Sequence, residues 1–257
     1  MNLDLEDRRV LVTGSTRGLG LGIARSFLLE GAKVAISGRR SEAVKSAICY
    51  LSACCKEAKT LECAFDLTDS NAINSCLKRV SDEWGGLDIL ILNLGSGNSV
   101  SGLPGVGEWY RMLNLNLVAA METLRLAVRF LALGKEPTVV FVGSIAGLEC
   151  IGAPISYGSA KAALLHAMKA SSRYLAASGI RVNMVAPGNV LFEGGTWDRK
   201  MIEHPLATQE MLNRQVPLKR FGTIDEIADC VLFLASNRAS FVTGACLTID
   251  GGQTYSY

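Results

Sequence analysis

The amino-acid sequence predicts an α/β protein: one doubly wound parallel sheet of about seven strands, with helices on both faces. Three observations carry this. Short apolar runs rich in β-branched residues alternate with longer segments of helical period, as in a chain of βαβ units. The short runs are apolar at nearly every position, as strands buried on both faces must be. Breakers also fall where helices have to stop, at Gly31, at Gly134 with Pro137, and at Gly179.

In chain order the expected strands are 9–13, 33–37, 60–65, 88–93, 138–142, 181–185 and 246–249. The expected helices are 18–30, 41–53, 70–84, 108–133, 155–178 and 224–235. No repeat, low-complexity stretch or linker interrupts them, so 1–257 reads as one domain. The one long section without regular period is 188–217, which carries Phe192, Trp197, Met201 and Met211 among glycines and charges. A loop of that length in a compact domain is expected to act as a substrate lid.

Composition narrows the function classes. Apolar residues make up 49% of the chain, enough for a large core, and a net charge of +2 without a basic stripe argues against nucleic acid. The eight cysteines form no C-x-x-C pair, and only two histidines accompany them. Reduced, mostly buried thiols in a cytoplasmic protein are therefore expected, with no metal site. No signal core opens the chain, and no apolar run reaches the roughly 18–20 residues that span a bilayer. A soluble protein without membrane contact follows.

The first strand runs into Thr13-Gly14-Ser15-Thr16-Arg17-Gly18-Leu19-Gly20, where a helix begins. Glycines there let a dinucleotide pyrophosphate approach the backbone, and the free N–H groups of the helix start favour phosphate. An ordinary β–α turn is the plainer alternative, but the strand–loop–helix setting is that of a Rossmann fold. The second strand ends at Gly38-Arg39-Arg40. An NAD site usually has an acid at this point for the ribose 2′-hydroxyl. Its absence, with arginines at 17, 39 and 40 to meet a 2′-phosphate, points to NADP(H).

Ser144 directly follows a strand, at the carboxyl edge where open α/β sheets bind ligands. Thirteen residues later come Tyr157 and Lys161, spaced to share one helix face. A neighbouring ammonium, together with the positive nicotinamide ring when oxidised, is expected to lower the tyrosine pKa from about 10 and make the phenol a proton shuttle. Ser144 would hydrogen-bond the substrate oxygen. The tyrosine–lysine spacing alone could equally be an accidental surface pair.

Taken together, Thr13–Gly20, Asp66, Asn93, Asn116, Ser144, Tyr157, Lys161 and Pro187-Gly188 occur in an order that resembles the short-chain dehydrogenase/reductases over essentially the whole chain. The resemblance implies that Asp66, with Leu67 beside it, contacts the adenine, and that Asn93 and Gly95 lie along the cofactor. It implies that Lys161 also binds the nicotinamide ribose, that Pro187, Gly188 and Val190 border the nicotinamide, and that Asn116 holds a water in a proton relay. Asn114 is a competing position for that asparagine. Two departures stand out: Leu94 replaces a small residue after Asn93, and no threonine follows Pro187-Gly188 until Thr196.

Ser96, Cys150, Phe192 and Trp197 are candidate substrate contacts, and the glycine-rich 96–107 loop is expected to shape specificity together with the lid. His166 and His204 carry little functional weight without metal partners. Surplus apolar and small residues on helices 108–133 and 155–178 suggest a homodimer contact, and the resemblance implies a homotetramer. Three functions fit: NADPH-dependent reduction of a ketone, oxidation of a sugar or other small hydroxy compound, and non-catalytic NADP binding. The intact Ser144–Tyr157–Lys161 set argues against the last. Gly38→Asp combined with Arg39→Ile should shift preference toward NADH; unchanged NADPH/NADH selectivity in steady-state assays would refute the cofactor reading.

Overall fold

The computed structural model describes residues 2–100 and 102–255; Ser101, within the 96–107 loop, lies outside them. The elements run β1 (Arg9–Val12), α1 (Gly18–Leu29), β2 (Lys33–Gly38), α2 (Ser41–Cys54), β3 (Lys59–Ala64), α3 (Ser70–Trp84), β4 (Ile89–Leu92), α4 (Val106–Leu113), α5 (Ala119–Leu131), β5 (Thr138–Val142), α6 (Ile155–Leu175), β6 (Arg181–Pro187), α7 (Thr196–Glu203), α8 (Pro205–Gln215), α9 (Ile224–Ala235) and β7 (Cys246–Ile249). The seven strands are all parallel and make one sheet in the order β3-β2-β1-β4-β5-β6-β7. Chain direction across the sheet reverses between β1 and β4, which opens a crevice at their carboxyl ends.

Strand alternation divides the core into two layers. Val10 and Val12 of β1 pack with Ile23 and Phe27 of α1 and Val231 of α9. Leu11 faces the opposite layer, with Ile73 and Leu77 of α3, Leu124 of α5 and Met168 of α6. Ile89 and Ile91 of β4 join the first layer, Leu90 and Leu92 the second. Both faces being covered is why the strand runs lack polar alternation. At the amino edge, Asp88 accepts from the Arg9 backbone, the Arg9 guanidinium and Lys135 N. Burial raises its carboxyl, but these hydrogen bonds outweigh that and hold it below the ordinary carboxylate range.

Three expectations need correction. The 188–217 segment is mostly helical. Its α7 buries none of its residues and so shows no apolar stripe, and Pro205, which reads as a breaker, occupies the first turn of α8, where proline fits. The 108–133 helix is two α segments joined by a π-helical turn, Asn114–Val118. The cysteines are all free, yet only Cys55, Cys63 and Cys76 are fully buried; Cys49 and Cys54 lie toward the carboxyl end of α2, exposed, as is Cys150. No helix among the described residues is long and apolar enough to cross a membrane.

Helices α1 and α9 touch closely because Gly22 has no side chain: a Cβ there would lie 1.9 Å from Ile224 Cγ2. Gly22→Ala should destabilise the protein by about 1–3 kcal/mol through overpacking. Adding Ile224→Ala should recover part of that loss, read as a non-additive double-mutant cycle in urea unfolding.

Candidate active site

The loop after β1 is held from two sides. Thr13 Oγ1 donates to Ile91 O at 3.1 Å and accepts from Asn93 N at 2.8 Å. Asn93 Nδ2 donates to the carbonyls of Thr13 and Gly14, both at 3.2 Å. On the other side, Ser37 Oγ accepts from Gly14 N at 3.1 Å, and the buried Ser15 hydroxyl donates to Val12 O at 2.8 Å. Gly14 and Gly18 have φ of +62° and +54°, backbone that favours glycine. At Gly20 a Cβ would lie 2.3 Å from Gly14 O.

Arg17 stands at the amino end of α1 in extended conformation, without a side-chain cap, so no side chain of its own satisfies the first N–H groups. The loop therefore fits an anionic dinucleotide. The Phe192 ring overlies it, 2.8 Å from where a Gly18 Cβ would be. Thr16 Cγ2 occupies the space beside Gly38, 2.5 Å from an ideal Cβ. An aspartate at position 38 must therefore displace Thr16. Arg17, Arg39 and Arg40 are exposed and form no ion pair among the described residues. Hydrogen bonds from Thr68 N and Oγ1 hold the Asp66 carboxyl below its ordinary value, with Arg39 adding to the effect. Leu67 turns its side chain into the second core layer.

Ser144 follows β5 in extended backbone, with its Oγ accepting from Ala146 N at 3.2 Å. Tyr157 lies in the first turn of α6 and Lys161 one turn further on. Lys161 is 4% exposed; its Nζ donates to Val142 O at 3.0 Å and lies 5.9 Å from the centre of the Tyr157 ring. Glycines make that placement feasible. A Cβ on Gly95 would lie 2.6 Å from Asn116 Oδ1 and 3.0 Å from Lys161 Nζ, and one on Gly147 would lie 2.7 Å from the Lys161 carbonyl carbon.

Asn116 is fully buried in the π turn, whereas Asn114 is exposed. Asn116 Oδ1 accepts from Ser96 N at 3.1 Å, and its Nδ2 donates to Ser96 O and Met112 O. One widened helical turn thus aims this amide at the loop after β4. Leu94 packs against the second core layer, anchoring the start of that loop.

The ionisation pattern differs from the expected one. Burial pushes the Tyr157 phenol above its ordinary pKa, opposed by the hydrogen bond with Ser144. Burial also holds the Lys161 ammonium down, at about 8. At neutral pH the pair is a neutral phenol over a charged lysine.

A cleft of about 490 Å³ runs past these groups, walled by Leu19, Ser144, Tyr157, Phe192 and Trp197 together with residues 187–190. Trp197 stacks near Phe221, ring centres 5.5 Å apart, and carries Lys200 Nζ 4.4 Å above its ring. Met211 lines the cleft; Met201, His204 and Cys150 do not, and residues 151–154 form the wall expected of Cys150. Ser96 is engaged through its backbone by Asn116, while Gly97 reaches the cleft. Four polar lining residues escaped sequence reasoning: Asn189, Lys200, Gln215 and Gln253. A signal for Gln253 existed, since it lies four residues past the last strand at the carboxyl edge, as Ser144 lies two past β5.

A family model described as enoyl-(acyl carrier protein) reductase matches residues 14–254. The chain is 33% identical over 255 residues to a 3-oxoacyl-[acyl-carrier-protein] reductase FabG of Chlamydia muridarum, covering 98% of this chain and all of the relative. It is 32% identical over 251 residues to the isoepoxydon dehydrogenase patN of Aspergillus clavatus, covering 96% and 95%. Its fold is similar to that of the L-sorbose reductase of Gluconobacter frateurii complexed with NADPH and L-sorbose, with a TM-score of 0.92, 25% identity and full coverage of both chains.

The buried Lys161 has a stability consequence. A lysine held at about 8 against about 10.4 unfolded costs about 3 kcal/mol at neutral pH. Lys161→Met should therefore raise the thermal midpoint at pH 7 by several degrees. Between pH 8 and 10 the unfolded wild-type chain binds more protons than the folded one, so wild-type stability rises with pH. The gap between wild type and Lys161→Met should narrow over that range in calorimetry; a constant gap would contradict the depressed lysine.

Proposed function

The chain belongs to the short-chain dehydrogenase/reductase family, oxidoreductases of CH–OH and C=O groups, and from that premise we propose that it reduces a ketone with NADPH. One observation carries the reading: the Ser144 and Tyr157 hydroxyls share a cleft wall over the Lys161 ammonium, on the same sheet edge as a phosphate cradle. NADPH, when bound, supplies the hydride that reaches the carbonyl carbon.

The chain's own groups handle the oxygen and its proton. Ser144 Oγ donates a hydrogen bond to the carbonyl oxygen and steadies its developing charge. The Tyr157 phenol, kept protonated by burial, passes its proton to that oxygen. Lys161 stabilises the phenolate left behind and holds the nicotinamide ribose. Asn116 fixes Ser96 and meets Lys161 at Gly95, a position from which it can hold a water that returns the proton.

Residues 14–20, with Asn93 and Gly95, hold the pyrophosphate and adjoining ribose. Asp66 holds the adenine. Pro187, Gly188 and Val190 border the nicotinamide. Arg17, Arg39 and Arg40, exposed and outside the ion pairs among the described residues, meet the 2′-phosphate, and Gly38 places no acid there to repel it. Residues 188–217 serve as the lid over the substrate. Exposed Val106, Tyr110 and Val118 on and between α4 and α5, and Phe241 and Leu247 flanking or on β7, support a homotetramer. Eight free thiols fit a reducing compartment such as the cytoplasm.

Tyr157→Phe should lower kcat for NADPH-dependent ketone reduction by about 10²–10⁴-fold, with NADPH binding, followed by its fluorescence, unchanged. Undiminished turnover would reject this mechanism.

A further inference from the structure

Five buried side-chain polar atoms lack a hydrogen-bond partner among the described residues: Arg8 Nε and Nη1, Arg25 Nε, Thr138 Oγ1 and Gln253 Oε1. Only Gln253 belongs to the wall of the catalytic cleft. The residue is 8% exposed, and its buried Oε1 bonds to no described residue.

The backbone around it is firmly held. Asp250 Oδ1 accepts from Gly252 N at 2.9 Å, and Asp250 Oδ2 accepts from Thr254 N and Oγ1 at 2.7 and 2.8 Å. Gly251 and Gly252 turn the chain with φ of +66° and +86°. Tyr255 N donates to Glu149 Oε1 at 2.7 Å, tying the tail to the loop beyond Ser144. Gln253 is therefore presented on a turn held by hydrogen bonds on both sides of it. A buried amide oxygen left unpaired costs about 1–3 kcal/mol, so a fixed, unpaired amide in a ligand cleft reads as half of a hydrogen-bonding pair.

The topology says which ligand brings the other half. The phosphate cradle follows β1, Ser144 follows β5, Pro187-Gly188 closes β6, and Gln253 follows β7, the edge strand furthest from the cradle on that side. Gln253 thus lies on the substrate side of the reacting hydroxyls. The unmet atom is an acceptor, so the matching group is a donor. A plain ketone has none, whereas a hydroxyl offers one and also accepts from the amide nitrogen once the amide turns about its last bond.

We propose that Gln253 is a specificity-determining residue that hydrogen-bonds a hydroxyl group of the substrate, making the preferred substrate a hydroxyketone. This rests on the ketone-reductase reading above.

The test uses the full-length protein with 2-butanone and its 1-hydroxy, 3-hydroxy and 4-hydroxy derivatives, following NADPH oxidation. Wild type should favour at least one hydroxyketone over 2-butanone by roughly 10- to 100-fold in kcat/KM. Gln253→Met, unbranched and similar in length, should shrink that preference to within about threefold. Gln253→Glu, which keeps acceptor oxygens, should retain it. Equal ratios in wild type and Gln253→Met, or no hydroxyl preference in wild type, would overturn the assignment. Ligand-observed NMR of the same ketones with the NADP⁺-saturated protein makes the comparison without turnover. If no ketone is reduced but hydroxyketone binding is favoured and lost in Gln253→Met, the amide's role stands and only the catalytic reading falls. If neither turnover nor binding discriminates, the assignment is wrong.

Discussion

The Lys161 ammonium sits where water scarcely reaches, with Val142 O as its hydrogen-bonded partner in the protein, and much of the surrounding architecture answers to that placement. Helix α6 can bring the lysine beneath β5 only because Gly147 and Gly95 leave room for its backbone and its amine. The same approach seats Tyr157 against Ser144 and leaves the Gly158 Cβ position 3.0 Å from Ala146 O. A buried charge is tolerated for what it does to a neighbour, since apolar packing there would be more stable. The lysine marks a place where stability has been given up for chemistry.

The cradle is governed by the opposite economy, with nearly every polar group satisfied. Thr13 and Asn93 bridge β1 and β4 at the point where sheet order reverses, and Ser15 with Ser37 bridges β1 and β2. What faces outward is the start of α1 and three exposed arginines that form no ion pair among the described residues. One sheet edge therefore holds a stiff anion seat at one end and a cleft with an unpaired amide at the other, with the reacting hydroxyls between them.

Much of this was legible in the sequence because it depends on local rules. Strands buried on both faces are apolar throughout, glycines mark turns and close approaches, and a four-residue spacing puts Tyr157 and Lys161 on one face. Helices α7 and α8 were not legible, because α7 buries nothing and Pro205 mimics a stop. The burial that raises the Tyr157 phenol was not legible either. Spacing shows that a lysine is near but says nothing of how deeply the pair is buried. Cys150 and Ile151 differ by one position, and only the folded loop decides which of them enters the cleft. Gln253 was missed because its one signal, a place shortly after the last strand, names no chemistry; its meaning lies in the partner it lacks.

The strand order also bears on how the chain is made. Strand β1 emerges early, yet Val10 pairs with Ile89, a neighbour synthesised roughly 4–16 s later at about 5–20 residues per second. Until then one of the most apolar strands has an open edge, a state prone to aggregation. The far wall of the cleft comes later still, because Gln253 lies 96 residues beyond Tyr157. A ribosome that stops soon after Lys161 releases a chain with the phosphate cradle and both hydroxyls but without β6 and β7. Such a fragment carries nearly all the chemical groups and cannot hold them in place.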